Sequence, residues 1–318
     1  MNEVREVVAK MTLEDKIKLC SGAGFWESES MEQYGIPSFF MSDGPHGLRT
    51  QKGESDHLGI NRSEQSTCFP TASASAASWN PRLLRRMGEA IGEALHYGVD
   101  VGLGPGVCMK RNPLCGRNFE YFSEDPYLAG VMGTNWIRGV QSKGVGTSLK
   151  HYAANNQEQD RMMGDSMVDE RALREIYLPA FEMAVKEGQP DTVMCSYNKI
   201  NGTFSSDNKR LLTDILRDEW GFQGLVVTDW GAMNDRIRAF QAGCDLEMPS
   251  SSGMFDEDVK RAVAEGKLSE ADIDACVERI IKLAWKARET RSGISDGYSF
   301  DAEAPHNLAR EIAAESAV

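Results

Sequence analysis

Residues 209–233 read Lys209-Arg-Leu-Leu-Thr-Asp-Ile-Leu-Arg-Asp-Glu219, then Trp220-Gly-Phe-Gln, then Gly224-Leu-Val-Val-Thr-Asp229-Trp-Gly-Ala-Met233. The first part carries a helical pattern. The last is a short apolar run that ends in a carboxylate, and residues 231–241 look helical again. The same alternation recurs outward in both directions. Apolar runs at 39–43, 100–104, 147–151, 192–197, 224–229 and 245–248 are separated by helical patterns that include 81–97, 127–142, 169–187 and 209–219. This βαβα order predicts a parallel sheet covered by helices. Six clear runs and two weaker ones, one near 71–78, predict an α/β fold of the (β/α)8-like TIM-barrel type, incomplete or irregular.

The helices carry their own signals. Val4, Val7, Val8 and Met11 give residues 1–20 a helical pattern, and Thr12 is placed to cap the turn that follows it. In 169–187, Leu173, Ile176, Tyr177, Ala180, Phe181, Ala184 and Val185 form one apolar stripe, which predicts packing on a sheet. Pro179 inside it predicts a kink. Residues 287–303 are polar and rich in Gly and Ser, which predicts an exposed loop. A last helical pattern begins at His306.

The 318 residues carry a formal net charge of −13, with 41% hydrophobic and 26% charged residues. An acidic surface repels phosphate backbones, which argues against a nucleic-acid partner. No basic amphipathic stretch or long apolar run points to a membrane. The charged N-terminus lacks a signal-peptide core. The seven cysteines form no CxxC pair, which predicts reduced thiols in a cytoplasmic protein. Asn61-Arg-Ser63 and Asn201-Gly-Thr203 are read as chance matches to the glycosylation pattern. Histidines and cysteines offer no close ligand pair, so neither a metal nor a cofactor is expected.

In a parallel barrel the loops at the C-terminal strand ends converge on one mouth, and catalytic groups sit there. Asp43, Lys150, His151, Tyr197 and Asp229 all fall at the ends of apolar runs. Asp229 is the sharpest of them. Neighbouring lysine, arginine and histidine side chains are expected to keep it ionised by lowering its pKa. Trp230 beside it would offer an apolar platform of the kind sugar rings stack on. The bland alternative makes Asp229 the N-cap of the helical stretch 231–241.

Five segments together resemble glycoside hydrolase family 3, in its β-glucosidase branch. They are Ser42-Asp-Gly-Pro-His-Gly-Leu-Arg49, Gly116-Arg-Asn-Phe-Glu-Tyr-Phe-Ser-Glu-Asp-Pro126, Lys150-His-Tyr-Ala-Ala-Asn-Asn-Gln-Glu158, Asp169-Glu-Arg-Ala-Leu-Arg-Glu-Ile-Tyr177 and Val227-Thr-Asp-Trp-Gly-Ala232. The resemblance implies Asp229 as the nucleophile that forms a covalent glycosyl-enzyme. It implies Asp43 as the acceptor for the outer hydroxyls of a terminal sugar, with Arg117, Lys150 and His151 around the remaining ones. Arg161, Tyr197 and Trp230 match further positions around the same sugar.

A retaining mechanism needs a second carboxyl group as acid/base. The family usually supplies it from a second α/β/α domain after the barrel. The resemblance therefore implies a barrel domain at 1–286 and, at 287–318, a loop and a connection towards a domain outside this chain. Weak or absent turnover by the chain alone follows, unless a homo-oligomer or a complementing domain finishes the cleft. Glu158, Glu170 and Glu247 are the in-chain candidates for the acid. The implied substrate is a small β-glucoside or β-linked oligosaccharide. The rivals are a β-xylosidase or other exo-glycosidase of the same family, and a non-catalytic sugar-binding module. Gly102-Leu-Gly-Pro-Gly106 has the wrong spacing for a dinucleotide loop. Met109, Met162 and Met163 are read as packing filler.

Overall fold

The computed structural model describes residues 2–51, 61–294 and 301–317. Eight short strands lie among them: β1 Met41–Ser42, β2 Val101–Gly102, β3 Gly146–Tyr152, β4 Asp165–Ser166, β5 Thr192–Cys195, β6 Lys199–Ile200, β7 Thr203–Phe204 and β8 Leu225–Thr228. Five form a parallel sheet in the order β1-β2-β3-β5-β8. Val101 pairs with Gly146, Ser148 with Thr192 and Thr192 with Leu225. Every residue of β3, β5 and β8 is buried. A sheet covered on both faces has no polar side to alternate with, which is why these strands read as continuous apolar runs.

The sheet curls into an incomplete (β/α)8-like barrel. Between its two edges the circuit is continued by single bridges instead of strands. Val227 pairs with Leu246, Glu247 with Ser21, Gly22 with Ser28 and Glu27 with Phe40. The run expected as a strand at 245–248 is thus reduced to isolated bridges. A smaller sheet, β4-β6-β7, ties together the loops that follow β3 and β5.

The weaker strand expected near 71–78 is a helix, Ala72–Ala77. Thr71 caps it by accepting from the Ala74 amide at 3.4 Å, and its Ala/Ser sequence suits a helix better than a sheet. The helix expected over 1–20 breaks in two, Asn2–Val8 and Leu13–Leu19, because Thr12 caps a new start through Asp15 N at 3.1 Å. The pattern at 169–187 is helical throughout and interrupted at Pro179. There Leu178 N bonds back to Leu173 O at 3.0 Å, within a wide turn that spans Leu173–Tyr177. The expected loop beyond 286 begins later. The helix Glu270–Ser292 runs across that position, residues 295–300 lie outside the described residues, and a last helix covers Glu303–Glu315. That helix docks through buried Ile312 and through Glu311, which accepts from Arg86 Nη2 at 2.8 Å. No helix among the described residues is long and apolar enough to cross a membrane. Five of the seven free cysteines are buried. Met109 is buried as expected, but Met162 and Met163 are exposed and fill no core.

The outer layer is closely fitted. Helix Pro81–Gly92 crosses helix Pro126–Gln141 where Gly88 faces Gly139. A Cβ at Gly139 would stand 2.2 Å from Arg85 O, a contact that backbone cannot relieve by changing rotamer. Gly139→Ala is therefore expected to cost about 1–3 kcal/mol as the helices are forced apart. A urea-denaturation midpoint unchanged from wild type would refute this.

Candidate active site

Asp229 follows β8 directly, and its amide continues the ladder to Cys195 O at 3.1 Å. The chain then turns at Gly231, whose φ of 85° suits a residue without a Cβ. The helix beyond begins at Arg236 and is capped by Asp235, which accepts from Ile237 N and Arg238 N. Asp229 is therefore no helix cap. Its side chain is buried, with Oδ1 accepting from Trp230 N at 2.8 Å. Oδ2 makes no hydrogen bond among the described residues and faces His151 Nε2 at 3.5 Å. A buried carboxylate oxygen left open at a strand end is costly for a purely structural residue.

Burial pushes the Asp229 carboxyl above its ordinary value, and the pull of Arg117 and Lys150 does not reverse this. The expected lowering is thus overturned. Desolvation outweighs the cations because their charge is engaged elsewhere. Lys150 donates to Asp43 Oδ1 at 3.2 Å and lies 3.4 Å from Glu120 Oε2. Arg117 Nε is bound to Glu120, and its Nη2 donates to His151 Nε2 at 2.8 Å.

That last contact fixes the state of His151. A guanidinium has no acceptor, so Nε2 must offer its lone pair and Nδ1 carries the proton towards Tyr121 Oη at 2.9 Å. The ring is a neutral imidazole. Burial, Arg117 and Lys150 all push its pKa well down. His151 is therefore not the third cation that its place beside Lys150 suggested.

The remaining expected residues gather on the same end of the sheet. Asp43 follows β1, half-buried; burial raises its carboxyl, but Lys150 holds it below its ordinary value. Tyr197 follows β5 and donates its hydroxyl to Trp230 O at 2.9 Å. Arg161 sits in the loop before β4, with its guanidinium 4.9 Å from the Tyr197 ring centre and Nη1 2.6 Å from Glu158 Oε2. Trp230 Nε1 donates to Phe25 O at 2.7 Å, and its ring lies 5.2 Å from that of Trp26 and 6.4 Å from that of Phe25. No group of three or more His, Cys, Asp or Glu among the described residues could hold a metal.

Residues 26–283 match the Glycosyl hydrolase family 3 N terminal domain. The chain belongs to glycoside hydrolase family 3. It is 51% identical over 317 residues to Thermostable beta-glucosidase B of Acetivibrio thermocellus, covering 99% of this chain and 42% of the relative. It is 50% identical to an Exo-alpha-(1->6)-L-arabinopyranosidase of Bifidobacterium breve, covering 98% of this chain and 41% of that protein. The solved beta-glucosidase 3B of Thermotoga neapolitana in complex with glucose superposes with a TM-score of 0.89 at 41% identity, covering 99% of this chain and 47% of that one. The chain thus spans about two fifths of these curated relatives.

The eight residues expected at the family 3 site form one connected group. The path runs Asp43–Lys150–Glu120–Arg117–His151–Asp229 through the ionic and hydrogen-bonded contacts above, and on through Trp230 and Tyr197 to Arg161. Sequence reasoning missed four members of the family 3 domain's cluster: Phe25, Trp26, Glu120 and Tyr121. Glu120 and Tyr121 stand inside the 116–126 segment but at no strand end. Phe25 and Trp26 come from the N-terminal hairpin that continues the barrel circuit, a position no local pattern reports.

Proposed function

We propose that this family 3 domain carries the nucleophile of a retaining exo-glycosidase, with a terminal β-D-glucosyl residue as substrate. The observation that carries the reading is the open, buried Oδ2 of Asp229 beside the aromatic group Trp230, Trp26 and Phe25. Asp229 attacks the anomeric carbon, the bond to the leaving oxygen breaks, and a glycosyl ester forms. Asp43 accepts from two adjacent hydroxyls of the bound sugar. Lys150 and Arg117 donate to others, and neutral His151 orients Arg117 beside the ester. Trp230 supplies the apolar face, and Arg161 and Tyr197 close the side of the site.

The leaving oxygen needs a proton. Glu170 is tied to Arg174 and Arg210 on an outer helix, Glu247 lies among Ser21, Ser251 and Arg236, and Glu158 is bound to Arg161. Glu170 and Glu247 are engaged through these contacts, Glu158 keeps Oε1 open only at 4.0 Å from Arg117 Nε, and the relatives are more than twice as long. In this reading the acid/base belongs to residues outside the chain. An aryl leaving group of low pKa needs no such proton, so the chain alone is expected to release a burst of about one equivalent of phenolate. Mass spectrometry after treatment with a 2-fluoro glucoside should then find one adduct, on Asp229. No burst and no adduct, with the fold shown intact, would refute the reading.

The Bifidobacterium breve relative favours a second substrate, an α-L-arabinopyranoside. That sugar lacks the hydroxymethyl group of glucose and inverts its C4 hydroxyl. Comparing bursts from the two nitrophenyl glycosides separates these readings.

A further inference from the structure

Asp229 has no lysine or arginine within ion-pair distance among the described residues, although Arg117 and Lys150 both stand in its network. Glu120 stands between those two cations. Its side chain is buried, bound to Arg117 Nε on one side and 3.4 Å from Lys150 Nζ on the other. It stands in a 3₁₀ turn, Asn118–Glu120, pinned by Ser73 Oγ donating to Asn118 O at 2.6 Å. The next residue, Tyr121, is bridged to Gly106, which also bridges Lys150. The carboxylate is therefore fixed by backbone on both sides.

We propose that Glu120 is a positioning residue that holds Arg117 and Lys150 off Asp229, so that the attacking carboxylate is left without a direct ion pair. This rests on the proposed nucleophile role of Asp229. The charged and titratable groups facing Asp229 are Arg117, Lys150, His151 and Tyr197, with Arg161, Asp43, Glu120 and Glu158 behind them. Removing the charge of Glu120 leaves Arg117 and Lys150 with one carboxylate fewer to satisfy. The open acceptors then left to Arg117 are Glu158 Oε1, 4.0 Å from its Nε, and Asp229 Oδ2 across His151. A carboxylate paired in this way ionises at lower pH and is a weaker nucleophile.

The test follows labelling of the intact chain by a dinitrophenyl 2-deoxy-2-fluoro-β-glucoside, which needs no acid. The rate is read by mass against pH for wild type, Glu120→Gln and Glu120→Asp, with folding checked by circular dichroism. In Glu120→Gln the acidic limb is expected to move down by about one pH unit and the plateau rate to fall about tenfold. Glu120→Asp keeps the charge and is expected to hold the limb at its wild-type position. A Glu120→Gln limb that does not move overturns the proposal, as does a Glu120→Asp limb displaced away from wild type. If only Glu120→Asp folds, the position of its limb decides. Failure of wild type to label would instead overturn the nucleophile reading, so the two failures are distinct.

Discussion

Replacing Asp229 with asparagine is expected to slow glycosyl-enzyme formation by roughly 10⁴-fold or more and, at neutral pH, to raise the melting temperature. The first effect follows from chemistry: the amide cannot form the ester. The second follows from burial. Desolvation raises the folded carboxyl above its ordinary value of 3.8, against Arg117 and Lys150. A carboxyl with a raised folded value favours folding while protonated, at pH below its unfolded value. That contribution is lost as pH rises through the folded value. At neutral pH the ionised carboxylate is thus a burden on the fold, and the asparagine relieves it. The stability gain should shrink towards zero as pH falls below 3.8. Calorimetry at neutral and acidic pH, alongside the labelling rate, checks both effects. A variant less stable than wild type at neutral pH would refute the burial argument, and an unchanged labelling rate would refute the nucleophile role.

The second large effect is one of stability alone. Asp245 is fully buried and lies between Arg217 at 2.8 Å and Arg279 at 2.8 Å. Its Oδ2 also accepts from Val226 N at 2.7 Å, inside the strand that delivers Asp229. Asp245→Ala leaves two mostly buried guanidinium groups without their anion and one strand amide without an acceptor. The expected cost is about 3–5 kcal/mol, because unpaired buried charge is far more expensive than a lost surface contact. The exposed pair Arg171–Glu175 is the control, and Arg171→Ala should cost less than about 1 kcal/mol. Urea denaturation of the two variants reads the difference directly. Equal midpoints would mean that the bond from Val226 N to Asp245 adds nothing to the strand.

Much of the site was legible because barrel strands declare their ends. The apolar runs at 147–151, 192–197 and 224–229 each stop at a polar group, and the structure brings those groups to one end of one sheet. The runs at 71–78 and 245–248 misled for opposite reasons. The first has strand-like length, but its small residues and Thr71 cap make a helix. The second, Asp245-Leu-Glu-Met248, is buried like a strand but meets its neighbours at single residues, so it carries no regular ladder.

By itself the sequence determined the alternation of elements, the strand ends and hence the identity of Asp43, Lys150, His151, Tyr197 and Asp229, because periodicity and the polar stop of a buried run are local properties of the chain. Only the tertiary structure decided their charge states. His151 is neutral because Arg117, from another loop, takes its lone pair. Asp229 binds its proton more tightly than usual because it is buried while Glu120 and Asp43 occupy the cations. Ionisation depends on distance and on exclusion of water, and neither is written in the order of residues along one strand.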